Sequence, residues 1–287
     1  MLDLALSILC SSLIFVIFKL YTRFRVQTLY AIIVNYMTAC TVGFFLSDVS
    51  VSLIEIPSKK WFYGTLLLGL LFIIIFNLMA KTSQVLGVSV ASVATKMSLT
   101  IPVLLGVIIY GEDLGAIKVV GILLALAAVY FTSVKKGVAA FNRRSLYLPL
   151  LVFLGSGIID ASIQYAEQYM VPTAEFPIFS STVFASAALC GLIFIFIRSW
   201  KHPVKILPRS VLGGIALGVP NFFSIYFLLR ALQNEVLNSA SVFTINNVAI
   251  VMFSTLLGIL LFKEVLSTKN WVGITLAVLS ILLVAVF

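Results

Sequence analysis

The sequence predicts an all-α integral membrane protein whose ten transmembrane helices form two inverted five-helix repeats, and three observations predict it. Hydrophobic residues make up 62% of the 287 and charged residues only 10%, more apolar side chain than a soluble domain of this size can hide. The apolar residues gather into ten runs, each long enough to cross a hydrocarbon core about 30 Å thick as a helix. The chain is also written twice, since LLGVIIYGEDLGAIKVVGILLA from Leu104 returns as LLGILLFKEVLSTKNWVGITLA from Leu256. Five spans per copy is an odd number, so the second copy enters the membrane in the opposite sense to the first.

Taken in order, the first run, 4–20, lacks a basic flank before it and a small-residue cleavage site after it, and reads as a retained helix rather than a signal peptide. The second, 29–47, carries Asn35 and Tyr36, and the third, 62–80, follows Trp61 and contains Asn77. In the fourth, 87–110, Gly87, Ala91 and Thr95 form a stripe of small residues that suits close helix approach. Pro102 lies further along it, and the fifth, 116–134, holds Gly121. The basic stretch from Lys135 to Ser145 separates the copies, giving repeats 1–137 and 138–287. The sixth span, 147–166, contains Gly155-Ser156-Gly157 and Asp160; the seventh, 177–198, ends near Trp200; the eighth, 211–230, contains Pro220-Asn221. The ninth, 237–262, carries Asn246-Asn247, and the tenth, 270–287, carries Trp271 and Gly273. These runs have helix length, unlike the shorter alternating segments of a membrane barrel, and the tryptophans suit the interfacial belt.

The polar residues inside the runs are the candidates for function. The fourth and ninth runs, equivalent by the repeat, carry Thr95-Lys96 and Asn246-Asn247 about ten residues in, which is roughly mid-bilayer at 1.5 Å per residue, and the repeat aligns Thr95 with Asn247. Lys96 and Asp160 are the opposite charges placed at depth, about 14 and 20 Å in from one side, so their side chains can meet. An unpaired charge there costs several kcal/mol, so a fixed ion pair, a bound substrate or a lost ionisation must rescue each. Lys96 is read as binding the anionic group of a substrate, with Asp160 holding the lysine or carrying a proton. Asn77, Asn221, Asn246 and Asn247 suit substrate contact and helix-to-helix hydrogen bonding equally, while Asn35 and Gln164 read as helix-to-helix amides. Pro102 and Pro220 each free a backbone carbonyl at depth and are read as hinges, simple bending being the alternative.

With Ala80 and Ala231 closing the third span of each copy, and Glu112 with Gly121 matched by Glu264 with Gly273, the whole chain resembles the EamA-like branch of the drug/metabolite transporter superfamily. The resemblance implies a secondary transporter, often an exporter, with a cavity lined mainly by the first, third, fourth, sixth, eighth and ninth spans. It leaves the substrate open, because members move amino acids, sugars, nucleotide derivatives and drugs. The two glutamates sit at short turns leading into helices, where the following helix N-terminus favours an anion, and are read as structural, a gate role being the alternative.

Other classes lack their residues. No Gly-x-x-x-x-Gly-Lys-Ser/Thr loop is present for an ATP-driven pump, His202 is the sole histidine and lies in a loop, and Asp160 has no second aspartate at depth. An enzyme is not expected, nor is a metal or organic cofactor. Cys10, Cys40 and Cys190 sit singly in apolar runs and read as small core residues. Asp3 lies at the edge of the first span, which argues against proton coupling through a carboxylate deep in that helix. The net charge of +9 resides mostly in membrane-edge loops and points to topology and anionic headgroups rather than nucleic acid. Of the 19 Lys and Arg, fourteen fall on one side, four on the other and Lys96 between them. By the positive-inside rule both termini then face outward, whereas the resemblance implies cytoplasmic termini. The expected partners are a small-molecule substrate and the lipid bilayer of the cell membrane, with monomer or homodimer left open. The alternative is a membrane scaffold or receptor that does not transport.

Overall fold

The computed structural model describes residues 1–46, 54–110, 115–133, 143–172, 175–201, 206–232 and 239–286. All regular structure among them is helical: α1 (Leu2–Arg23), α2 (Thr28–Leu46), α3 (Phe62–Val85), α4 (Val88–Met97), α5 (Thr100–Tyr110), α6 (Ala116–Ser133), α7 (Arg143–Tyr169), α8 (Phe176–Lys201), α9 (Pro208–Leu232), α10 (Ser239–Phe262) and α11 (Thr268–Val286), with one short 3₁₀ turn at Ile56–Ser58. Eight stretches are long and apolar enough to cross a membrane, and apolar parts of α6 and α11 are shorter, Val119–Ser133 and Thr268–Val284. Glu112 and the boundary between 137 and 138 lie outside the described residues.

The fourth run is one apolar stretch but two helices. Proline at 102 has no N–H for the Ser98 carbonyl, and its ring crowds that carbonyl. The chain answers with a turn at Ser98 and Leu99, where Ile101 N donates to Ser98 O at 3.0 residues' spacing rather than the helical four, over 2.9 Å. Thr100 Oγ1 donates to the Met97 carbonyl at 2.9 Å. Pro220, by contrast, lies inside an unbroken α9.

Side-chain contacts fix how the helices run. The Asp3 carboxylate lies 3.6 Å from Arg230 Nε, Ser7 Oγ donates to the Ser224 carbonyl at 2.8 Å, and Tyr21 OH donates to Gly213 O at 2.8 Å, so α1 and α9 are antiparallel. The end of the bundle holding Asp3 is called the Asp3 face and the other the Lys19 face. Helices α6 and α11 are also antiparallel: a Cβ at Gly121 would meet Val284 at 2.6 Å, and one at Gly273 would meet the Thr132 backbone nitrogen at 2.7 Å. The two glycines that recur in the duplicated passage thus let these helices close on each other from opposite ends. Helix α2 runs antiparallel to α8, as Gly43 faces Ser181 and Gly191 faces Ile33. It runs parallel to α9, where Gly214 faces Ala31 and Val34 and Gly218 faces Thr38. Helix α3 likewise runs parallel to α8, with Gly69 on Ser186 and Ala187.

With no hydrophobic drive between helices in lipid, such small-residue contacts carry much of the association. Gly69 is an acute case, because a Cβ there would lie 2.6 Å from the Ala187 backbone nitrogen and 2.7 Å from the Ser186 carbonyl carbon. Backbone cannot move aside alone, so Gly69→Ala should push α3 and α8 apart at a cost of about 1–3 kcal/mol. Its melting temperature in detergent should fall, while Gly64→Ala, with nothing within 4 Å of the added carbon, should melt like the parent.

Candidate functional site

Three helix stripes converge on one cavity of about 540 Å³, inside the usual range for small-molecule sites, about 300–1,000 Å³. Asp160, Ile163 and Gln164 on α7, and Phe243, Asn246 and Asn247 on α10, each follow the i, i+3, i+4 spacing that puts side chains on one face of a helix. Thr95 and Lys96 close the last turn of α4, and Leu99 in the break with Pro102 and Val103 beyond it continue the wall. Leu228 near the end of α9, Phe243 near the start of α10 and Val284 near the end of α11 carry the wall toward the Asp3 face. No residue of α1 or α3 lines it, so the wall draws on the fourth, sixth, eighth, ninth and tenth spans rather than on the whole set the resemblance implies.

Lys96 and Asp160 face this cavity without touching. The ion pairs among the described residues are Lys19–Glu264, Lys59–Glu175 and Arg230–Asp3, and the direct meeting that the two depths allow is not made. Ser98 Oγ lies 3.1 Å from Asp160 Oδ2 and 2.5 Å from the Thr95 carbonyl, so its single proton serves one acceptor at a time. The helix break therefore supplies the hydroxyl that steadies the carboxylate. Asp160 is solvent-accessible although protein surrounds it, because its open surface faces the cavity. Thr95 turns its hydroxyl back to the Ala91 carbonyl at 2.9 Å. Asn246 Oδ1 lies 3.3 Å from Ser7 Oγ and competes with the Ser224 carbonyl for its one proton, which brings α10 against α1.

The other amides stand elsewhere. Asn77 Nδ2 donates to the Ile73 carbonyl at 2.7 Å, and Asn77 lines a separate groove bordered by α2, α3 and α8. Asn221 Nδ2 donates to Asn35 Oδ1 at 3.2 Å, a buried bond between α9 and α2. Pro220 is absent from the cavity wall as well. Conversely, Gln164 lines the cavity although its sequence reading is a helix-to-helix amide, and Phe243 carries no functional reading in the sequence at all. The spacing of Gln164 from Asp160, and of Phe243 from Asn246 and Asn247, is the signal that finds them.

Toward the Lys19 face the bundle is shut. Val88, Ala91 and Ile250 are fully buried beneath a polar seal centred on Glu264. Glu264 Oε1 accepts from the backbone N–H of Val88 at 2.8 Å, Oε2 accepts from Ser89 Oγ at 3.2 Å, and Lys19 Nζ stands 4.0 Å away. Lys19 also donates to the Gln84 carbonyl at 3.1 Å. The anion thus caps a helix N-terminus, but that of α4 in the other copy instead of the following α11. Helix α11 has its own cap, Ser267 Oγ accepting from Asn270 N at 3.2 Å and Asn270 Oδ1 from Ser267 N at 2.8 Å. Two glycines leave room for the carboxylate: a Cβ at Gly87, whose φ is +123°, would lie 2.9 Å from it, and one at Gly258 would lie 2.7 Å from it. Lys263, at φ 53°, turns the chain back so that Glu264 reaches α4, and its equivalent in the first copy is Gly111.

At the Asp3 face, Lys59 Nζ donates to Glu175 Oε1 at 2.6 Å and Trp61 Nε1 donates to Oε2 at 2.9 Å, joining the start of α3 to the start of α8. These two donors hold the Glu175 carboxyl below the usual carboxylate range.

Comparison with known proteins agrees with this architecture. A protein of Haemophilus influenzae (strain ATCC 51907 / DSM 11121 / KW20 / Rd), itself uncharacterised, is 32% identical over 285 residues, covering 97% of this chain and 96% of its own. A solved crystal structure at 17% identity superposes with a TM-score of 0.58 and covers 97% of both chains, which supports the shared fold alone. The EamA-like transporter family matches residues 2–134 and again residues 147–286. A duplicated helical membrane chain matched twice along nearly its whole length is thereby placed: it belongs to the EamA-like transporter family.

Proposed function

We propose that the protein is a secondary transporter of the cell membrane that moves a small polar or amphipathic metabolite carrying both an anionic and a cationic group. Its repeats, 1–137 and 138–287, act as ten spans in an inverted arrangement and alternate access to the cavity from the two faces. The observation that carries the reading is the pair of opposite charges, Lys96 and Asp160, set in one cavity with no ion pair closed between them. Unpaired charges at membrane depth are costly, and a ligand with a carboxylate for Lys96 and an ammonium for Asp160 relieves both.

The helix pairings support the inverted arrangement. If the halves are related by an axis in the membrane plane, a helix and its counterpart cross antiparallel, as α6 with α11 and α2 with α8 do. The parallel pair α2 with α9 then has its counterpart in the parallel pair α8 with α3. A cavity walled toward the Asp3 face and sealed at the Lys19 face corresponds to one of the two states such a bundle interconverts.

A ligand that binds the folded state raises its melting temperature. Purified protein screened against zwitterionic amino compounds, their uncharged amides and simple sugars should be stabilised by the zwitterions, which should also drive counterflow in proteoliposomes. Stabilisation by hydrophobic cations alone would defeat the substrate class. The competing reading, a scaffold or receptor, requires that a cysteine placed at Phe243 keep one accessibility whatever ligand is present; the transporter requires that it change.

A further inference from the structure

The groove that holds Asn77 is larger than the central cavity, about 770 Å³, and lies at the outside of the bundle between α2, α3 and α8. Its walls are apolar side chains open to the surroundings: Leu70 is 46% exposed, Ile74 47% and Phe194 48%. Its polar end is Lys81, on the last turns of α3 at the Lys19 face, next to Thr28 and Gln84. Gln84 Nε2 is engaged with the Phe18 carbonyl at 3.2 Å and Thr28 Oγ1 at 3.0 Å. Lys81 is exposed and, among the described residues, has neither an ion pair nor a hydrogen bond.

The dimensions match a membrane leaflet. From Lys81 to Leu70 is eleven residues of helix, about 16 Å at 1.5 Å per residue, and half of a hydrocarbon core is about 15 Å. A cation at headgroup depth over an apolar trough one leaflet long is complementary to a lipid with a negative head. Basic pockets between helices at the membrane edge recognise headgroups in this way. We propose that this groove is a binding site for an anionic phospholipid, its phosphate on Lys81 and an acyl chain along Leu70, Ile73 and Ile74. The site does not depend on what the central cavity carries.

Native mass spectrometry of delipidated protein titrated with phosphatidylglycerol or phosphatidylcholine tests it. Wild type should bind phosphatidylglycerol about fivefold more tightly than phosphatidylcholine, the contribution of one interfacial lysine. Lys81→Gln should bind the two lipids alike, while Lys60→Gln, an exposed lysine outside the groove, should keep the preference. Ile74→Trp, which fills the trough, should weaken both lipids. Equal binding of both lipids by wild type, or a preference that survives in Lys81→Gln, would overturn the proposal. So would displacement of phosphatidylglycerol by millimolar inorganic phosphate, because the site would then read a free anion instead of a lipid.

Discussion

The charge-swapped double variant Lys96→Asp with Asp160→Lys should fold, melt close to the parent and fail to transport its substrate. A structural ion pair tolerates exchange because the attraction is the same either way round. These two groups make no ion pair, and their surroundings differ: Asp160 has the Ser98 hydroxyl at 3.1 Å, whereas Lys96 sits on the last turn of α4 in a wall it shares with Asn246 and Asn247. A ligand entering with its carboxylate toward residue 96 would meet an anion there after the exchange. Each single change, Lys96→Gln or Asp160→Asn, removes one charge-assisted hydrogen bond to the ligand, about 1.5–3 kcal/mol, or roughly tenfold to hundredfold in affinity. Counterflow in proteoliposomes, normalised to protein that melts cooperatively, measures both. Full transport by the swapped protein would end the functional claim for the two residues together.

How much of this was legible in the sequence depends on the physics each feature uses. The helical membrane class and the runs come from composition, which the bilayer forces on any spanning segment, and the duplication is visible letter by letter. The face each polar residue occupies is another matter. In a soluble helix the water side declares itself, but here lipid and helix neighbours are equally apolar, and Asn77, Asn221, Asn246 and Asn247 look alike. Two of them line the cavity, one bonds α2 and one faces the outer groove. Local spacing distinguishes some of them: Asp160 with Gln164, and Phe243 with Asn247, are one turn apart. Pro102 was readable as a disturbance, yet its effect falls four residues earlier, at Ser98, because that is the carbonyl whose donor it removes. The partner of Glu264 could not be read at all, since a contact between copies leaves no trace in the spacing of either.

That contact leads to the second large effect, an opening of the Lys19 face in Glu264→Gln. The carboxylate stands at the junction of α10, the N-terminus of α4 and Lys19 of α1. Glutamine keeps an oxygen for the Val88 N–H but loses the charge that the helix N-terminus and the ammonium favour, about 0.3–2 kcal/mol for the helix end alone. In an alternating-access bundle this seal must part when the other state forms, so the loss falls on the sealed state and shifts the population away from it. A difference of about 1–2 kcal/mol is a shift of roughly fivefold to thirtyfold. A cysteine at Ser92, fully buried one turn below the seal, reports it through its rate of reaction with a membrane-impermeant maleimide from the Lys19 face. That rate should rise by the same factor in Glu264→Gln. Gly258→Ala should act likewise, because its new carbon would come within 2.7 Å of Glu264 Oε2 and displace the carboxylate without removing it. A purely structural glutamate would instead lower folding yield and leave the labelling rate of the folded fraction unchanged. If both variants label at the parental rate, the seal is a fixed joint of the fold and not a gate.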